Sequence, residues 1–340
     1  MSEVSNTAPD FSDLRSAAER LEGRAVRTPL LESPLMNRAA GRRVLVKAEA
    51  LQRTGSFKFR GAWSHLSMLD DPTAARGVLA YSSGNHAQGV ACAAQMLGLK
   101  ATIVMPKDAP ATKVENTRAY GADVVLYDRM NRESREELGA RLIEERGLHL
   151  VKPYDDPLVI AGQGSVGLEL AQQAHDAGVE NAEVSVCCGG GGLASGVALA
   201  LAEDAPGLRV RTAEPEGFDD WARSLQTGAR QRNQESAGSI CDAILTPEPG
   251  ELTWPIGQRL FGPGIAVTEL EARKAMAMAL RHLKITLEPG GAVGLAAALF
   301  HPEEMPGDAV IAVATGGNVD ADRFWEWTRF DTWDGNGLPH

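Results

Sequence analysis

Residues 183–202 read EVSVCCGGGGLASGVALALA, and this stretch decides the fold class. EVSVCC is a β-rich run, Gly189 to Gly192 form a turn without a single Cβ atom, and LASGVALALA has the composition of a buried helix. Strand, tight turn and helix in direct succession are the unit of a parallel sheet with helical crossovers. Working outward, the alternation recurs: RVLVKAE (43–49), GVLAYSS (77–83), KATIVMP (100–106), ADVVLY (122–127), LRVRTAEP (208–215) and AVIAVATGG (309–317) predict strands between Ala-rich helical segments. Several are apolar nearly throughout, as strands covered on both faces must be, so the fold class is α/β. Ser12 to about Gly23 predicts an amphipathic opening helix behind a serine cap. Trp325, Trp327 and Trp333 crowd the tail, which is expected to pack on the body or on a subunit interface.

With 340 residues the chain has room for two domains, and 34 Lys+Arg against 45 Asp+Glu argue against a nucleic-acid-binding surface. Cys92, Cys187, Cys188 and Cys241 form no CxxC pair, which points to a reduced, cytoplasmic protein. The acidic N-terminus lacks the pattern of a secretory signal, and the longest apolar run, Leu193 to Ala202, is about half of what spans a bilayer. No membrane partner is expected. PYDDP (153–157) and TGSFKFRG (54–61) are the candidate domain crossings.

The four glycines let backbone N–H groups close around a phosphate while the following helix adds its dipole. Gly189, Gly191 and Ala194 also satisfy a relaxed GxGxxA spacing, and Glu214 ends the next strand where a ribose-binding acid would sit. The stretch alone leaves phosphate and dinucleotide both open. Lys58, between Phe57 and Phe59 at a predicted helix start, becomes a usable nucleophile or base if partly desolvated; taken alone, a solvated surface lysine is the simpler reading. Ser82-Ser83-Gly84-Asn85-His86 closes another apolar strand with two hydroxyls, an amide and free helix N–H groups, a set that suits a carboxylate or a well-capped turn equally. Thr315-Gly316-Gly317-Asn318 is a third such strand end.

Taken in order, SFKFRGA, SSGNHAQG, GGGGL, AEP (213–215), LEPGGAVGLAA (287–297) and TGGN resemble the fold-type II pyridoxal-phosphate enzymes, on the serine/threonine dehydratase and serine racemase branch. The resemblance runs from about residue 25 to residue 318 and displaces both the surface-lysine and the dinucleotide readings. It implies a tryptophan synthase β-like architecture of two open α/β domains with mainly parallel sheets. The large, cofactor-binding domain would hold residues 1–55 and 155–340, and residues 56–154 would contain the small domain that closes on substrate. By the same resemblance Lys58 is the Schiff-base lysine, with Phe57 near the cofactor ring, and Asn85 meets the pyridoxal 3′-oxygen. Gly189, Gly190, Gly191, Gly192 and Leu193 hold the phosphate, and Thr315 meets the pyridine nitrogen where a Ser or Cys is commoner.

The resemblance further implies Ser83 as a proton donor on the opposite ring face and Ser82, Gly84 and His86 among the substrate contacts. Arg135 matches a position that meets an anionic substrate side chain, although a helix-surface charge paired with a neighbouring glutamate accounts for it equally well. Glu214, the Phe218 carbonyl and Asp220 match a Mg²⁺, Ca²⁺ or Mn²⁺ site, a set of hard oxygen ligands; the bland alternative is a capping or salt-bridging Glu214. The implied activity is β-elimination of a small 3-hydroxy amino acid such as L-threonine or L-serine to a 2-oxo acid and ammonia, in a homodimer or higher homo-oligomer. The alternatives are 3-hydroxyaspartate dehydration, serine or aspartate racemisation and, from other classes, a nucleotide-binding oxidoreductase or a catalytically dead binding homologue. Arg135 favours hydroxyaspartate, whereas PYDDP resembles the catabolic threonine dehydratases.

Overall fold

The computed structural model describes residues 7–82, 84–128, 134–334 and 337–339. Their strands are β1 (Leu30–Glu32), β2 (Arg43–Ala48), β3 (Val78–Tyr81), β4 (Ala101–Pro106), β5 (Asp123–Tyr127), β6 (His149–Leu150), β7 (Ala182–Cys187), β8 (Leu208–Pro215), β9 (Ile265–Val267) and β10 (Ala309–Ala314). They form two sheets, ordered β1-β2-β10-β7-β8-β9 and β5-β4-β3-β6. Every pairing is parallel except the β1–β2 edge.

The unbroken apolar run AVIAVA follows from its place: β10 lies between β2 and β7, and all six of its residues are buried. One face of the larger sheet packs on the helices Glu269–Met278 and Pro289–Phe300 through Met276, Val293 and Leu295. The other face packs on Pro157–Asp176 and Gly192–Asp204 through Val166, Leu170, Val197 and Leu201. The smaller sheet is covered by Lys58–Leu66 and Asn85–Leu97 on one side and by Arg135–Arg146 on the other. This is the α/β architecture expected, and it brings the carboxyl ends of β3, β7 and β10 together, where open α/β sheets collect ligands.

One local reading is corrected. The opening helix is Phe11–Leu21 and its cap is Asp10, in a reciprocal box with Asp13. An ionised carboxylate outcompetes the Ser12 hydroxyl for the free N–H groups, and Ser12 donates to Asp10 instead. Of the tail tryptophans, Trp327 and Trp333 pack on the core while Trp325 stays exposed. No helix among the described residues is long and apolar enough to cross a membrane.

Candidate active site

Lys58 opens its helix after a turn that needs left-handed backbone twice, at Thr54 (φ 62°) and Gly55 (φ 71°). The turn is locked onto the TGGN segment: Asn318 Nδ2 donates to the Thr54 carbonyl at 2.7 Å and Gly317 N–H to the Gly55 carbonyl at 2.9 Å. Ser56 bridges Gly316, and Phe57 N–H donates to the Thr315 carbonyl. The end of β10 therefore fixes where Lys58 starts.

Two residues on, the buried Arg60 pairs with Glu49 at 2.8 Å and Glu169 at 2.7 Å, and Lys47 pairs with Glu169 at 2.6 Å. These four charges tie the lysine's helix to the larger sheet. The Lys58 amine donates to the Pro153 carbonyl at 2.8 Å and lies 5.1 Å from the Phe57 ring centre. Burial pushes its pKa down from 10.5 to about 8.

In the same cavity as Lys58, the glycine turn ends β7 and starts the helix Gly192–Asp204, with Gly191 at φ 92° as its cap. Gly191 is required by φ, and close packing requires glycine at two positions: a Cβ on Gly190 or on Gly191 would fall 2.2 Å from the Tyr154 ring or the Trp221 ring, respectively. Thr253 Oγ donates to the Gly190 carbonyl at 2.6 Å and Trp221 Nε1 to the Gly189 carbonyl at 2.7 Å. With carbonyls held from behind, the loop and first-turn N–H groups are left for an anion, so the residues present fit a bound phosphate.

Phe57, Lys58, Ser82, Gly84, Asn85, His86, Arg135, Gly189 to Leu193 and Thr315 all line this one cavity, so the structure brings together residues scattered over 259 positions of sequence, from 57 to 315. Asn85 donates to Glu288 and accepts from Asn318 at 2.8 Å. The His86 ring is committed to the Val151 carbonyl at 3.0 Å, and burial, reinforced by Lys58, pushes its pKa down to about 3, so it is neutral. Arg135 is half-exposed at the rim and pairs with Glu136 at 2.6 Å, so both of its readings find support. Ser83 lies outside the described residues.

Glu214, Phe218 and Asp220 do not line the cavity. Glu214 is fully buried, and its two carboxylate oxygens accept the Trp221 and Ala222 N–H groups, each at 2.9 Å. It cannot reach a ribose on the glycine turn, and the dinucleotide reading falls with it.

Sequence reasoning missed Tyr154, Lys113, Glu288 and Gln163, which line the cavity too. Lys113 pairs with Glu288 at 3.6 Å and Asp242 at 3.8 Å, and these acids hold its pKa above the ordinary lysine value despite burial. Tyr154 and Glu288 lie inside quoted motifs, PYDDP and LEPGG, whereas Lys113 and Gln163 sit in helices whose sequence pattern does not single them out.

A desolvated amine in one cavity with a glycine anion cradle, at the joined strand ends of two mainly parallel sheets, defines an α/β enzyme built around a phosphorylated cofactor. The chain belongs to the pyridoxal-phosphate dependent enzyme family, whose model matches residues 21–316. It is 43% identical to an L-threo-3-hydroxyaspartate ammonia-lyase of a Pseudomonas species, over 92% of this chain and 97% of the relative. Identity to a serine racemase of Arabidopsis thaliana is 38%, over 94% and 96%. A solved T.th. threonine deaminase superposes with a TM-score of 0.86 at 44% identity, covering 92% of this chain and 99% of that one.

Proposed function

We propose that this chain is a pyridoxal-phosphate dependent ammonia-lyase that converts a small 3-hydroxy amino acid to a 2-oxo acid and ammonia. The observation that carries it is the Lys58 amine, with its pKa at about 8, in one cavity with the glycine cradle and Thr315. Pyridoxal phosphate, when bound, supplies the electron withdrawal that makes an amino-acid Cα–H acidic. Lys58 would carry it, Gly189 to Leu193 would hold its phosphate, and Asn85 and Thr315 would orient its ring.

Lys58 then serves as the group that takes the Cα proton, its desolvation keeping the free amine populated near neutral pH. Thr315 offers a neutral hydroxyl where a carboxylate would hold a ring nitrogen protonated, which favours prompt departure of the β-hydroxyl over transamination. Loss of water followed by hydrolysis returns that water, so the net products are the 2-oxo acid and ammonia. Residues 56–154, which include the smaller sheet, form the closing domain in this reading, and closure excludes water from the cavity.

Within this reaction, Arg135 at the rim favours 3-hydroxyaspartate, because its guanidinium suits a side-chain carboxylate; the Pseudomonas relative named for that substrate supports the same choice. The test is release of 2-oxo acid and ammonia over L- and D-serine, L- and D-threonine and the 3-hydroxyaspartates. Arg135→Gln should raise KM for hydroxyaspartate by about tenfold or more and leave threonine unchanged. Equal effects on both would make Arg135 a surface charge, and no ammonia from any of them would sink the lyase reading.

A divalent cation belongs to this reading as well, held by Glu214, Asp220 and the Phe218 carbonyl. Asp220 Oδ2 is buried with no hydrogen-bond partner among the described residues. Burial raises Asp220 to about 7, and burial with the neighbouring Asp220 raises Glu214 well above the carboxylate range. Two buried acids in mutual repulsion fit a cation. Its place is behind the cradle, since Trp221 joins Glu214 to the Gly189 carbonyl. A homo-oligomer is supported by the exposed apolar Leu270 and Trp325, and a reducing, cytoplasmic setting by four free, buried cysteines.

A further inference from the structure

Gln163, in the helix Pro157–Asp176, is 1% exposed, and neither its Oε1 nor its Nε2 has a hydrogen-bond partner among the described residues. A carboxamide offers two donors and two acceptor lone pairs, and a buried one left wholly unpaired is costly and rare. The side chain also lines the active-site cavity. Two glycines make room for it: a Cβ on Gly61 would lie 3.0 Å from Nε2, and a Cβ on Gly192 would lie 2.9 Å from Oε1. The amide is thus wedged between the lysine's helix and the first residue of the cradle helix. With no partner fixing it, the half-turn that exchanges Oε1 and Nε2 is open and brings the donor to the Gly192 side.

We infer that Gln163 donates its amide N–H to the cofactor phosphate, as a side-chain ligand in a cradle otherwise built of backbone N–H groups. This rests on the phosphate lying at Gly189 to Leu193, as proposed above. A neutral donor serves there because it completes the anion's hydrogen bonds without cancelling its charge, so the phosphate keeps its basicity. An acid at this position would repel a dianion at close range in a cavity of low dielectric.

The test compares pyridoxal phosphate with unphosphorylated pyridoxal, each titrated spectroscopically into whole, cofactor-free protein, wild type and the variants Gln163→Leu and Gln163→Glu. The expected result is that Gln163→Leu weakens pyridoxal phosphate by about tenfold and Gln163→Glu by more, while pyridoxal affinity changes by less than about twofold. Leucine removes the unpaired polar atoms, so the melting temperature of cofactor-free Gln163→Leu should equal or exceed wild type, and only the gain on adding pyridoxal phosphate should shrink.

Equal weakening of both ligands overturns the inference, as does unchanged affinity for both. A cofactor-free Gln163→Leu that melts lower than wild type, or does not fold, assigns the amide a structural role and also overturns it. If wild type itself shows no preference for pyridoxal phosphate over pyridoxal, the placement of the phosphate at the glycine turn fails first.

Discussion

The pKa of Lys58 gives a prediction that can be worked through. Among the described residues its amine has one hydrogen-bond partner, the Pro153 carbonyl, and burial lowers it from 10.5 to about 8. At pH 7 an amine with the ordinary value is neutral in about one molecule in 3,000, whereas one at about 8 is neutral in about one in ten, a gain of about 300-fold. Competitive acetylation of cofactor-free protein at a series of pH values, read by mass spectrometry on the Lys58 peptide, measures this directly, with the exposed Lys100 in the same digest as reference.

Reactivity of Lys58 should rise to about pH 8 and level off. A stability term of fixed sign accompanies it. Because the folded value is the lower one, the folded state holds fewer protons than the unfolded chain between about pH 8 and 10.5, so stability rises with pH across that window. Below it the full penalty stands, about 3 kcal/mol. A reactivity midpoint near that of an ordinary lysine would refute the desolvation argument and with it the base role of Lys58.

Gly191→Ala should cost cofactor affinity about tenfold or more and lower the melting temperature, because φ 92° strains an L-residue and the new Cβ would meet the Trp221 ring at 2.2 Å; unchanged titrations would show that the loop relaxes freely. The acids behind the cradle predict a pH-dependent cation effect. Their folded values are raised, so without a cation stability falls as pH climbs from the ordinary carboxylate range through about 7, and Mg²⁺ should raise the melting temperature more at about pH 8 than at about pH 6. Asp220→Asn should abolish that difference; an equal Mg²⁺ effect in the variant would place the cation elsewhere.

Much of the fold was legible because β2, β3, β4, β5, β7, β8 and β10 are long and apolar enough to show as runs, and their observed limits differ from the reading by three residues at most. The edge strands β1, β6 and β9 were not, since two or three residues carry no period and exist only through their neighbours. At the site, glycine at 189–192 and the SFK and SGN segments are chemically unusual and stood out. Gln163 and Lys113 did not, because a single polar residue in a helix gains meaning only from what the fold puts opposite it. The cap at Asp10 was misread because serine and aspartate compete for one site and only the geometry shows which carboxylate closes the box.

The role of Lys58 is tested by treating the protein, saturated with pyridoxal phosphate, with borohydride and mapping the modified peptide. One pyridoxyl group per chain is expected, on Lys58, with loss of the visible absorption band. Stable modification of another lysine, such as Lys113, or no visible band to bleach, would contradict that role.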